Sequence, residues 1–333
     1  MVNRTRLILS LLGVVAVGCT SSPTPPAPIT VRVAVLNFDP VVGDSTLHQH
    51  LNWASPTALA DEYVASINDI SHGQVAIHIV SWRDVDAFPI KTDGFEYSLR
   101  EFQACWNDRS TCHQPDGIDY LRMVEDYDIA QGIDQDTFDE LWIFGAPYMG
   151  FWESSMAGPG AFYINGGVFP EVGTSEPFVI MGFSYERGLA EMLHNLCHRT
   201  EATMEKVSGG WDTTDLSTDW ARFAANAHQS NGISAIGSCH YPANGTSDYD
   251  YSNPSMVLSN AEGWMTYPEI GTAQDSVNAE TWGGPNYQLN YMKWWFRHLP
   301  HSNELSSEGM LNSWWHYVFN FKSNVISTSE ILP

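Results

Sequence analysis

Lysine is scarce in this chain, with only Lys91, Lys206, Lys293 and Lys322 among 333 residues. Acidic residues outnumber all basic ones by 39 to 15, and the formal net charge is −24 at pH 7. A field of that sign repels phosphate backbones and anionic lipid headgroups, which excludes nucleic-acid binding and favours cations or neutral substrates. Beyond the first 18 residues no stretch is long and apolar enough to span a bilayer. Other absences narrow the chemistry. There is no CxxC pair, no GxSxG nucleophile elbow, and the Gly-rich stretch 156–167 (MAGPGAFYINGG) lacks both the lysine and the spacing of a phosphate loop. That stretch reads as a loop or an irregular edge strand.

The first residues carry a processing signal. Arg4 and Arg6 form a short basic segment, and residues 7–17 are apolar but too short to cross a membrane comfortably. The run ends Val15-Ala16-Val17-Gly18-Cys19, which resembles the lipobox of bacterial lipoproteins, although Ala16 stands where leucine is usual. The resemblance implies lipidation of Cys19. It makes 1–18 a signal peptide and places the chain outside the cytoplasm, lipid-anchored to the outer face of a bacterial membrane or in the periplasm. The Ser/Thr/Pro-rich segment 19–29 reads as a tether. Beyond the signal, 13 basic residues face 39 acidic ones, a net charge of −26.

Four further cysteines, Cys105, Cys112, Cys197 and Cys239, form an even set in an exported chain and point to disulfides, with three possible connectivities. The nearest pairing joins Cys105 to Cys112 and leaves Cys197 for Cys239.

Residues 30–333 read as one α/β domain, with a sheet core over 30–208 and a C-terminal elaboration over 209–333. Apolar, β-branched runs at 31–38, 75–82, 141–144 and 178–183 predict strands, with helices over 56–70 and 120–129 between them. Ser55-Pro56 supplies the cap and first turn of the former. Strands that are apolar throughout and separated by helices argue for a mostly parallel sheet covered on both faces. The region after Gly209 is rich in Trp and irregular, with helices expected over 287–298 and 311–320. Functional residues of such sheets gather beyond the strands' carboxyl ends. That rule selects Asp39, Asp84, Asp86, Glu153, Glu186 and Arg187.

Residues 184–204 (SYERGLAEMLHNLCHRTEATM) carry the most chemistry, with Ser184 as a candidate cap. At helical spacing Glu191, His194, His198 and Glu201 fall within a wedge of roughly 80°. Two histidines four apart offer two nitrogens to one metal ion. The carboxylates are candidates for a third ligand, a ring-orienting partner or a proton acceptor. The segment HNLCH at 194–198 resembles the HExxH helix of zincin metallopeptidases, which implies zinc on His194 and His198 and a peptide substrate. Asn195 departs from that pattern where the catalytic glutamate stands, and Asn accepts no proton. The catalytic set expected from this reading is Glu191, Glu201, Arg187 and Glu186.

A longer resemblance runs through DELWIFGAPYMGFWESSMAGPGAF, FVIMGFSYERGLAEMLHNLCHRTE and CHYPANGTSDYDYSNP, which look like a family of secreted bacterial and fungal proteins without an established activity. Its members often carry Glu at the position of His194 and Gly at that of Cys197, while Glu191, His198, Arg199 and Glu201 match. The resemblance supplies no function.

If Cys197 bonds Cys239, then His240 comes to lie beside His198 as a third ligand. Three alternatives stand beside the metal reading. In the first, the histidines are satisfied polar residues at the core edge. In the second, Glu153, Glu186 and Glu191 with exposed Trp rings form a glycan site. In the third, the chain is an inactive binding scaffold. His298 and His301 read as a helix end, Asp248 and Asp250 as a turn or a calcium site, and Trp294-Trp295 and Trp314-Trp315 as core or sugar platforms.

Overall fold

In the computed structural model the described residues are 28–305 and 311–320. Cys19, the signal-like segment and most of the tether lie outside them, so the expected lipidation site has no structural description.

Six strands form one sheet: β1 (Ile29–Phe38), β2 (Val75–Val85), β3 (Glu140–Gly145), β4 (Ser154–Ala157), β5 (Val168–Phe169) and β6 (Phe178–Ser184), in the order β2-β1-β3-β6-β4-β5. The pairs β1–β2, β1–β3 and β3–β6 are parallel, and β4 runs antiparallel to β6. This is the mostly parallel α/β sheet that the apolar runs imply. All of β3 and nearly all of β1 are buried on both faces, as continuous apolar strands require. The strand β1 starts at Ile29, inside the stretch expected as tether, and β4 and β5 occupy ground that reads as loop or edge strand from sequence.

Helices cover both faces. Helix α1 (Pro56–Ile70) begins at Ser55, whose hydroxyl accepts the Ala58 N–H, and its Tyr63 packs edge-on against Trp142 and Phe183. Val35 lies in register with Trp142, so Phe38, three residues on, points to the opposite face. There it meets Tyr127, the residue that ends α2 (Tyr120–Asp126). The expected 120–129 helix breaks there, because Asp128 takes a positive φ of 56° before a new helix starts at Ile129.

Helix α3 (Leu189–Ser208) follows β6 and packs on α1 and on α4 (Tyr287–Arg297). Its N-cap is Gly188, not Ser184, because residues 184–188 turn before the helix begins. A bidentate ion pair fixes its rotation: Arg199 donates to both Glu140 oxygens at 2.9 and 2.5 Å and to the Val318 carbonyl at 2.8 Å. Both partners are almost wholly buried, and this geometry is what makes a buried pair tolerable. Asn195 donates from Nδ2 to the Gly182 carbonyl at 2.8 Å. These ties turn one side of α3 onto the sheet and the other toward the sheet's carboxyl edge.

The C-terminal Trp residues are core. Trp295 and Trp315 are fully buried and Trp314 nearly so, which removes three of the four proposed sugar platforms. Residues 311–320 form a short strand (Leu311–Ser313) and a short helix (Trp315–Phe319) rather than one helix. No helix among the described residues is long and apolar enough to cross a membrane.

Candidate metal centre

One stripe of α3 carries His194, which is buried, and His198, which is partly buried, one turn apart with ring centroids 4.5 Å from each other. The third imidazole, His240, arrives from an irregular segment. Two ties hold that segment to the helix, the disulfide Cys197–Cys239 with Cα atoms 5.8 Å apart and the Cys239 N–H donated to Glu201 Oε1 at 2.7 Å, and within the segment the Tyr251 hydroxyl donates to the Cys239 carbonyl at 2.6 Å. The second disulfide, Cys105–Cys112, stands in a different part of the chain.

The three Nε2 atoms converge. His240 Nε2 lies 3.1 Å from His198 Nε2 and 3.3 Å from His194 Nε2. The outer nitrogens face carboxylates, with His198 Nδ1 3.2 Å from Glu201 and His240 Nδ1 3.1 Å from Asp248. Neutral imidazoles that donate their Nδ1–H to these carboxylates present lone pairs on Nε2. Two lone pairs cannot hydrogen-bond each other, whereas a cation between them satisfies all three at once. A tetrahedral ion with metal–nitrogen bonds of ~2.0–2.1 Å sets its nitrogens about 3.3 Å apart. The observed spacing matches, and carboxylate partners on the outer nitrogens are the usual means of orienting histidine ligands. The histidines therefore form a cluster able to hold a metal ion. A neighbouring group of Cys197, Cys239 and Glu201 also lies close, but its cysteines are bonded to each other and offer no thiolate.

At His194 the electrostatics suit ligation. Burial, reinforced by repulsion from His198 and His240, lowers the His194 pKa to about 3, so the ring is neutral at pH 7. At His198 burial also opposes the charged form, but the hydrogen bond and charge of Glu201, with Glu153 adding to them, outweigh it and raise the pKa. His194 Nδ1 is buried with no hydrogen-bond partner. The Tyr249 ring sits 4.4 Å from His240 and 5.8 Å from His194, half exposed and with a positive φ of 58°.

Beside His194 opens a cavity of about 630 Å³, walled by the turn after β3 (146–151), the turn after β6 (184–188) and the first turns of α3. It lies beyond the carboxyl ends of the strands, where such sheets hold their ligands. Glu153, Arg187, Glu191, Asn195 and Tyr249 line it with His194.

The structure distributes the other expected site residues unevenly. Glu201 is buried and committed, one oxygen facing His198 and the other accepting the Cys239 N–H. Glu191 lines the cavity but accepts the Gly188 N–H at the start of α3. Glu186 is exposed, pairs with Arg187 at 3.5 Å and does not line the cavity. Asp39, Asp84 and Asp86 are engaged elsewhere, with His48, with Asn37 and with the Val41 N–H respectively. Asp250 closes a turn onto Thr246 and Asn253. His298 caps the end of α4.

Sequence reasoning passed over Tyr249 as part of a turn, and it missed Asp248 as the partner of His240. Neither has a periodic signal. The only hint was their place eight and nine residues after His240, in a loop short enough to fold back. No protein-family model, curated protein or solved structure matches the chain.

Proposed function

We propose that this protein is an exported, lipid-anchored metal-dependent hydrolase in which His194, His198 and His240 hold zinc. The observation that carries the reading is the convergence of three Nε2 atoms at 3.1 and 3.3 Å beside a cavity. Three histidine ligands with a position left for water or substrate form a catalytic zinc set, whereas structural zinc sites are closed by four protein ligands. Zinc there supplies a water of lowered pKa and polarises a carbonyl or similar oxygen. The chain's own groups do the rest. Glu201 and Asp248 hold two ligands in orientation, Tyr249 covers the imidazoles, and Arg187 on the cavity wall meets developing negative charge. A peptide is the substrate class that the zincin-like spacing suggests, and the acidic surface disfavours polyanions. Asn195 is not a failed base in this reading, because its amide is spent on the Gly182 carbonyl.

Elemental analysis of protein purified without chelator tests the proposal. One zinc per chain is expected, lost in His194→Ala, His198→Ala and His240→Ala. A wild-type chain that takes up no zinc from a micromolar solution, or variants that bind as well as wild type, would overturn it. Radiolabelled palmitate carried by wild type but not by Cys19→Ala tests the anchor.

A further inference from the structure

The metal reading lacks a proton acceptor, because Asn195 cannot serve, Glu201 is committed at both oxygens, and Glu191 caps its own helix. Glu153 lines the cavity just before β4, and a chain of contacts fixes it there. Its carbonyl accepts the Gly182 N–H at 3.0 Å, which binds its backbone to the sheet. A Cβ at Gly182 would come within 2.2 Å of the Trp152 carbonyl oxygen, so only glycine lets the chain carrying Glu153 approach that closely.

The Glu153 carboxylate accepts a hydrogen bond from the Asn165 amide. Asn165 adopts a φ of 94°, a conformation that L side chains rarely take. The next residue, Gly166, packs so tightly that a Cβ there would meet the Ser154 carbonyl at 2.3 Å. Strained backbone and close packing therefore converge on placing one amide against one carboxylate. Glu153 is solvent-exposed and lines the same cavity as His194 and Tyr249, which leaves its carboxylate open to water there.

We infer that Glu153 is the catalytic base of the proposed hydrolase, held in place by the positioning residue Asn165. The inference rests on the metal reading above. One Glu153 oxygen takes a proton from the attacking water as that water's oxygen bonds to the substrate's carbonyl carbon. The protonated carboxyl then gives the proton to the leaving nitrogen or oxygen as its bond to carbon breaks. Water is consumed, an acid and an amine or alcohol form, and Glu153 ends as it began.

The test uses the full-length chain loaded with zinc and p-nitrophenyl acetate as the probe. Glu153→Gln should keep one zinc per chain and lose ~100-fold or more in kcat, with the acidic limb of the kcat–pH profile abolished. Glu153→Asp, which withdraws the carboxylate by one methylene, should retain an intermediate rate. Asn165→Gly keeps the backbone conformation and removes the amide. It should lower kcat with KM unchanged and shift the acidic limb, which a merely structural role would not do. A zinc-loaded Glu153→Gln chain with wild-type rate and profile overturns the assignment. So does a wild-type chain that holds zinc but leaves the ester intact, and in both cases the metal site stands. A wild-type chain that holds no zinc removes the proposed function beneath it.

Discussion

Replacing Cys197 and Cys239 together by alanine separates two roles that the disulfide plays. Both residues are fully buried, and the bond spans 42 residues of sequence. In the chain-entropy account, opening a loop of that length costs about 4 kcal/mol at 25 °C. With an unfolding entropy of ~2.1 cal/mol/K per residue over roughly 300 residues, that loss lowers Tm by ~6 °C. The effect on the metal centre should be smaller. Cys239 is also held by the Glu201 carboxylate at 2.7 Å and the Tyr251 hydroxyl at 2.6 Å, and His240 is further tied through the Tyr249 N–H to its carbonyl at 2.9 Å. Zinc affinity should therefore fall about tenfold or less, as expected for a change in outer support rather than in a ligand. Urea titration and calorimetry read the first effect, and competition with a chromogenic chelator reads the second. Stability within about 1 kcal/mol of wild type would refute the loop argument. Complete loss of zinc binding would refute the claim that hydrogen bonds alone can place His240.

Other changes give distinct outcomes. Glu201→Gln keeps the shape of the site but weakens the partner of His198 Nδ1, so zinc affinity should drop ~10–100-fold in the same chelator assay with the fold intact. Arg199→Met strands the Glu140 carboxylate inside the protein and should cost about 3–5 kcal/mol in urea unfolding, much of it recovered when Glu140 is also changed to Met. Asn195→Glu does not restore a zincin base: a carboxylate there faces the Gly182 carbonyl, and the variant should unfold earlier in urea with no gain in ester hydrolysis. Burial holds the His298 imidazole below its ordinary value of 6.5, although hydrogen bonding to Trp294 and the charge of Glu262 oppose it. Below that pH the unfolded chain binds a proton that the folded chain resists, so metal-free protein should lose stability as pH falls from 7 to 5. His298→Gln should shrink that slope in pH-dependent urea melts, and an unchanged slope would remove His298 from the account.

Much of the fold was legible because its signals are local. The runs at 31–38, 75–82, 141–144 and 178–183 announce buried parallel strands through their apolar, β-branched composition, and each lies within an observed strand. Ser55-Pro56 marks the start of α1 for reasons internal to the four residues 55–58. Where the reading slipped, longer-range forces decided. Strands β4 and β5 are short and Gly-flanked, and they form by pairing in turn, β4 on the edge of β6 and β5 on β4. The 120–129 helix breaks at a left-handed Asp128, and the 311–320 segment splits because Trp314 and Trp315 are drawn into the core.

The sequence by itself determined that the chain is acidic, that its sheet is mostly parallel, and that Glu191, His194, His198 and Glu201 share one stripe of a helix. Spacing along a helix is a local property, and any chain with that pattern presents it. Which of those groups meet, and which are already occupied, only the tertiary structure decided. Glu201 is shared between His198 and the Cys239 amide, Glu191 closes its own helix, and Asn195 anchors to β6. The third imidazole, His240, and the cavity-lining Glu153 come from segments far away in the chain. Hydrogen bonds of Glu201 and Tyr251 with Cys239, reinforced by the disulfide, and a few tight backbone approaches place them, and none of these leaves a periodic trace in the sequence.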